Sequence, residues 1–282
     1  MIQPRTLRVP SFDGLSINVV DYGGAGPTLL LSHCTGTFAR IWDPVVARLD
    51  GRFHVYAVDS RGQGDSEQPQ DFNAYPWINS GRDLLAVIDA LALGPGIFAA
   101  GHSAGGAHVG YAELIRPGAF ARVMLIDAII GPAELFAGEN RLAEISRRRR
   151  NTFESLGVAR ERLGGKPPMG HWVPEALEAY LANAFRVQDD GQLVLKCPGP
   201  VEAWMYEHGG ACDLFERLSD LTAPTLVIAG GDSYVAALAE MQFHRLPDAK
   251  HIALENVGHF IPQEDPDATA RLIMEWFKPA SA

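Results

Sequence analysis

The chain has 282 residues, 47% of them hydrophobic and 21% charged, enough for one large α/β domain with an insertion or for two small domains. A net charge of −10 argues against nucleic acid and against an anionic membrane surface as partners. Cys34, Cys197 and Cys212 show no C-x-x-C spacing, which points to free thiols in a reducing compartment, without a disulfide framework or a zinc site.

The amino-terminal stretch MIQPRTLRVPSFDG has no apolar signal core, and no window is long enough to span a bilayer, so a cytoplasmic protein is expected. Thr6 to Val9 and Ser16 to Tyr22 alternate around Asp13-Gly14 and predict a hairpin. Thr28 to Ser32 is a continuous apolar run, as in a strand buried on both faces, and leads into His33-Cys34-Thr35-Gly36. Phe38 to Leu49 has helical spacing. Phe53 to Val58 reads as another buried strand, closed by the run from Asp59 to Ser66, and Ile78 to Leu93 as an amphipathic helix. Ile97 to Ala100 is a short buried strand that ends in Gly101-His102-Ser103-Ala104-Gly105 and then in small residues that can enter a helix. Val123 to Ile126 is a strand ending at Asp127.

From about Pro132 to Leu221 the character changes to helical, Arg- and Glu-rich sequence broken by Gly164-Gly165, Pro167-Pro168 and Pro198-Gly199-Pro200. Arg147–Arg150, its one basic cluster, reads as a solvated helix face near Glu144 and Glu154. The strand–helix rhythm resumes with Thr225 to Ala229, Ala249 to Leu254 and a closing helix from Pro266 to Phe277. Alternation of this kind predicts right-handed crossovers and a mostly parallel sheet, with the antiparallel hairpin at one edge. The expected organisation is a core of residues 1–131 and 222–282 interrupted by a helical cap, residues 132–221.

The G-x-S-x-G pattern of 101–105, between a strand and a helix, places a serine hydroxyl on a sharp turn, with the next N–H at a helix start, where the dipole favours an oxyanion. Together with His33–Gly36, the D-x-R-G-x-G-x-S run from Asp59 to Ser66 and Gly258-His259-Phe260, this resembles the α/β-hydrolase superfamily over nearly the whole chain. The resemblance implies an α/β-hydrolase fold, with Ser103 as nucleophile, His259 as base and an aspartate that orients the imidazole. Two residues fit the third place. Asp127 ends one strand directly, whereas Gly230-Gly231-Asp232-Ser233 puts Asp232 one residue short of the family's commoner position, or Ser233 upon it. Asp127 is preferred narrowly, and both stay open. Asp59 and Asp65 read as scaffold for turn amides and Arg61.

The resemblance also implies oxyanion donors at Thr35 and Ala104. Cys34 stands where the family has glycine and is the alternative donor. The expected chemistry is hydrolysis of a small to medium, mostly apolar carboxylic ester through an acyl-enzyme, without metal or organic cofactor. A lactonase or a C–C bond hydrolase is the alternative, and a non-catalytic receptor for a small ligand is a third. The cap aromatics, Phe136, Phe153, Trp172, Tyr180, Phe185, Trp204, Tyr206 and Phe215 among them, can pack cap helices or line a pocket. Phe38, Trp42, Trp172 and Trp204 are the expected pocket residues. The partner is a small-molecule substrate, and a homodimer stays open.

Overall fold

The computed structural model describes residues 3–278; the first two residues of the amino-terminal stretch and the last four residues lie outside it. A hairpin of β1 (Arg5–Pro10) and β2 (Ser16–Gly23) precedes β3 (Thr28–Ser32), α1 (Asp43–Leu49) and β4 (His54–Val58). The helical spacing from Phe38 divides into a 3₁₀ turn, Ala39–Trp42, and α1, because Pro44 lacks the N–H that an interior helical position would need. Next come α2 (Trp77–Ala90), β5 (Phe98–His102), α3 (Ala104–Ile115) and β6 (Arg122–Ile126).

The insertion carries α4 (Arg141–Arg148), β7 (Thr152–Phe153), α5 (Leu156–Gly164), α6 (Pro174–Asn183), β8 (Phe185–Val187), β9 (Leu193–Leu195), α7 (Gly199–Glu207) and α8 (Cys212–Glu216). It therefore departs from the purely helical expectation: β7, β9 and β8 form an antiparallel sheet. The hairpin of β8 and β9 has a physical cause in Asp189-Asp190-Gly191. Gly191 takes φ 81°, and Gln188 and Gln192 close the turn with a 2.8 Å hydrogen bond. The core then finishes with β10 (Thr225–Gly230), α9 (Ala236–Arg245), β11 (Ala249–Leu254), α10 (Ile261–Glu264) and α11 (Pro266–Trp276).

The main sheet has the order β1-β2-β4-β3-β5-β6-β10-β11. Every pair from β4 onward is parallel, and the hairpin occupies one edge, as the alternation predicts. One apolar cluster joins the sheet to α1, α11 and the cap helix α6; a second joins the other face to α2, α3 and α9. Central strands buried on both faces need such covers, which explains their unbroken apolar sequences. Among the described residues no helix is long and apolar enough to cross a membrane.

The Asp59–Ser66 run is a buried polar hub. Asp59 accepts hydrogen bonds from the N–H groups of Ala39 (2.5 Å) and Asp65 (2.8 Å) and from Asn18 (2.9 Å). Contrary to expectation, neither Asp59 nor Asp65 pairs with Arg61. Arg61 is fully buried and held in a fork by Asp83 (2.8 and 2.6 Å) and by Asp13 (2.9 Å), while Asp65 receives Lys196 (2.7 Å). The fork geometry of guanidinium and carboxylate explains the choice of Asp83. Asp83→Ala, which leaves the buried guanidinium with Asp13 and the Ala74 carbonyl alone, is expected to lower stability by about 3 kcal/mol, read from the urea midpoint.

Candidate active site

Strand β5 runs into Ser103, whose backbone sits at φ 57° and ψ −120°, a region that costs a non-glycine residue about 1–3 kcal/mol. The surroundings impose it. The Ser103 N–H donates to the Ile126 carbonyl (2.9 Å), and its own carbonyl accepts from Gly106 (3.0 Å) and Ile129 (3.2 Å). A Cβ on Gly101 would overlap the Gly105 carbonyl, and one on Gly105 would overlap the Ser32 carbonyl. Glycine at 101 lets α3 turn back closely on β5, and glycine at 105 lets α3 approach the end of β3.

Three side chains from distant parts of the sequence converge here. His259 Nδ1–H donates to Asp127 Oδ2 (2.6 Å), and the Ser103 hydroxyl donates to His259 Nε2 (3.0 Å). The directions follow from chemistry: a carboxylate only accepts, so Nδ1 carries the proton and Nε2 is left as acceptor. All three are buried. Asp127, in the left-handed region at φ 44°, also accepts from Gly230 N–H at Oδ1 (3.1 Å) and from the Ser233 hydroxyl at Oδ2 (2.5 Å). Asp232, the other candidate, is exposed and makes no contact with the ring; its N–H donates to the Val257 carbonyl (3.0 Å). The chain turns after Gly230 so that Ser233, not Asp232, faces Asp127.

The imidazole is framed by His102, Tyr234 and Phe260, with ring centroids 5.1, 5.0 and 5.1 Å away. His102 Nε2–H donates to the His259 carbonyl (2.8 Å). Burial first, then the neighbouring His259, holds the His102 pKa well below its ordinary value, so this histidine is neutral. The middle residue of the elbow thus braces the backbone of His259, a role its sequence position did not suggest.

The His33–Gly36 loop lies opposite. His33 Nε2 accepts from Ser60 N–H (3.0 Å), and its Nδ1–H donates to the Cys34 carbonyl (2.8 Å). The Gly36 N–H is taken by Gln63 Oε1 (2.5 Å), so Cys34 and Thr35, which both line the cavity above Ser103, are left to face it. Burial pushes the Cys34 thiol up to about 12, which keeps it protonated and unsuited to nucleophilic attack.

A profile of the alpha/beta hydrolase family matches residues 29–272. The chain belongs to that family. A hydrolase of 2-(acetamidomethylene)succinate from Mesorhizobium japonicum is 27% identical over 264 residues, covering 92% of this chain and 90% of that protein. The crystal structure of an E-2-(acetamidomethylene)succinate hydrolase has a TM-score of 0.83 at 23% identity, over 97% and 99% of the two chains. A thermophilic esterase from Thermogutta terrifontis has a TM-score of 0.74 at 22% identity, over 96% and 97%.

In this hydrolase Ser103 and His259 open onto a cavity of about 280 Å³. Its wall is mostly apolar, with Trp77 and Ile129 from the core and Leu135, Phe136, Leu142 and Tyr206 from the cap. The four expected pocket aromatics are elsewhere. Phe38 packs on Tyr180 (5.5 Å between centroids), Trp42 is fully buried in the core, Trp172 sits between Tyr180 and Phe260, and Trp204 lies against Tyr75 and Phe72. They join cap to core, because large flat side chains remove the most surface from water at such seams. Phe136 and Tyr206 were legible as cap aromatics; Trp77 and Tyr234 were not, since the first reads as a helix start and the second as turn sequence.

The basic cluster also departs from expectation. Arg147 and Arg150 pair on the surface with Glu207 (2.6 Å) and Glu154 (2.5 Å), but Arg149 turns inward to Glu202 and the Cys197 carbonyl. Burial raises the Cys34 and Cys197 thiols, and Cys212 alone of the three cysteines is partly exposed. Ellman's reagent at pH 8 should therefore modify Cys212 first, with Cys34 and Cys197 reacting only after unfolding in guanidinium. Fast reaction of three thiols in the native protein would contradict this burial.

Proposed function

We propose that this hydrolase transfers an acyl group to water through Ser103, with His259 as general base and acid and Asp127 as the orienting acid. The observation that carries the reading is the Ser103 Oγ contact with His259 Nε2 at the floor of the cavity. Ser103 attacks the substrate carbonyl as Nε2 takes its proton. The tetrahedral oxyanion is met by the N–H groups of Thr35 and Ala104, the second at the start of α3. His259 returns the proton to the leaving group. A water then repeats the sequence on the acyl-enzyme. Asp127 keeps Nδ1 protonated and stabilises the imidazolium. The cavity's apolar wall supports a small to medium carboxylic ester as substrate.

Arg141 favours a second reading of the substrate. It is the one arginine in the cavity wall among the described residues, no lysine accompanies it, and of the two carboxylates in the same wall Glu207 is paired with Arg147, which leaves Glu139. The relative named for 2-(acetamidomethylene)succinate, a dicarboxylate, agrees with an anionic acyl compound. On this reading Arg141→Ala raises KM about tenfold for p-nitrophenyl hemisuccinate, the loss of one charge-assisted hydrogen bond, and leaves the neutral butyrate ester unaffected. Equal effects on both esters would remove Arg141 from substrate recognition.

Hydrolysis of p-nitrophenyl butyrate, with Ser103→Ala as blank, tests the main reading. Asp127→Asn should lose about 10⁴-fold in kcat and Asp232→Asn should stay close to wild type. The reverse order would transfer the acid to Asp232. Silence with this ester, accompanied by turnover of a lactone or a vinylogous 1,5-diketone, would move the assignment to lactone or C–C hydrolysis. Failure of a fluorophosphonate to label Ser103 would leave a ligand-binding receptor.

A further inference from the structure

The Asp127 carboxylate receives more than the imidazole. Its Oδ2 accepts both His259 Nδ1–H (2.6 Å) and the Ser233 hydroxyl (2.5 Å), and its Oδ1 accepts Gly230 N–H (3.1 Å). We infer that Ser233 is a positioning residue, whose hydroxyl fixes the rotation of the Asp127 carboxylate so that Oδ2 faces the imidazole. The inference rests on the triad reading above.

A carboxylate on a short side chain still rotates about its last bond, and its terminal torsion is broad. Gly230 restrains one oxygen and Ser233 the other, so no equivalent orientation is left. The serine is itself restrained. Its N–H donates to the Gly230 carbonyl (3.0 Å), and its Oγ accepts Val235 N–H (3.2 Å), which leaves the hydroxyl proton for Asp127. The turn after β10 thus serves as a fixed donor aimed at a residue 106 positions earlier in the chain.

The hydroxyl also draws on the same oxygen that stabilises imidazolium. Its removal should leave Oδ2 a stronger acceptor for Nδ1–H and raise the basicity of His259. The other titratable groups nearest this ring are His102, Tyr234 and Cys34, with Glu264 beneath the loop, and the cavity wall also carries Glu139, Arg141, Tyr206 and Glu207. His102 is neutral, burial holds the Cys34 thiol near 12, and the exposed Tyr234 is an ordinary phenol, so all three are uncharged near neutrality. Glu264 is committed to the N–H groups of Gly258 (2.7 Å) and Phe260 (3.1 Å). Asp127 is left as the charged group in contact with the imidazole.

The test measures the rate of Ser103 modification by a fluorophosphonate between pH 4 and 9, which needs no natural substrate, with Ser103→Ala as blank. In Ser233→Ala the acid limb should move up by about half a pH unit, and the plateau rate should fall roughly fivefold. Ser233→Thr should restore both, and Ser233→Cys, a weaker donor that preserves the turn should Ser233→Ala disturb it, should fall between. A Ser233→Ala profile superimposed on wild type overturns the inference and leaves the triad standing. A lower plateau with an unmoved limb also overturns it, since a merely structural serine would do that. Absence of labelling in the wild-type protein removes the triad reading itself, and this inference with it.

Discussion

The left-handed backbone of Ser103 is the constraint on which the rest of the site depends. It is strained, and it persists because its N–H and carbonyl are tied to β6 and α3, while glycines at 101 and 105 allow α3 to close on β5 and on the end of β3. Sheet order does the rest. β5, β6, β10 and β11 are neighbours and parallel, so their carboxyl ends lie side by side along one edge. Ser103, Asp127, Ser233 and His259 each follow one of these four strands. Ser103 and His259, 156 positions apart, follow strands with β6 and β10 between them, and the loop after β11 brings His259 along the edge to Asp127 and Ser103.

The cap is attached to this edge by more than apolar packing. Glu202 of α7 is buried, pairs with Arg149 and lies against Gly36, where a Cβ would press on its Oε1. Burial raises the Glu202 carboxyl above its ordinary range, and Arg149 opposes that effect. Two charges withdrawn from water at one seam are costly unless their geometry is closely matched. The pair sits against the His33–Gly36 loop, at the seam between the insertion and the core. Gln63, from the polar hub around Asp59, holds the same loop from the core side.

Much of this was legible in the sequence because local chemistry leaves few alternatives. A strand buried on both faces has to read as a continuous apolar run, so Thr28–Ser32 coincides with its predicted limits. The Gly101–Gly105 pattern is legible for the same reason: the turn has no other residue types to choose from. Cap strands β7 to β9 are only two or three residues long, too short for alternation to register. The pocket aromatics failed differently. Composition says how many large side chains a cap owns, whereas which of them face a cavity depends on seams between elements. Arg149 failed on the same ground, as a charge run gives no sign that one member turns inward to a buried carboxylate.

The two strand-end aspartates show where pattern ends and geometry begins. β6 and β10 are adjacent and parallel, so Asp127 and Asp232 start from neighbouring backbone positions, and order along the chain cannot separate them. What separates them is the turn each belongs to. Asp127 adopts φ 44° directly at its strand end, which an aspartate tolerates better than most residues, and this swings its carboxylate along the edge toward His259. Asp232 comes two residues after Gly230, its N–H is drawn to the Val257 carbonyl, and its side chain faces solvent. With the Asp127 carboxylate at the end of β6, the β10 turn brings a neutral donor, the Ser233 hydroxyl, to Oδ2 in place of a second carboxylate, which would raise the proton affinity of the first.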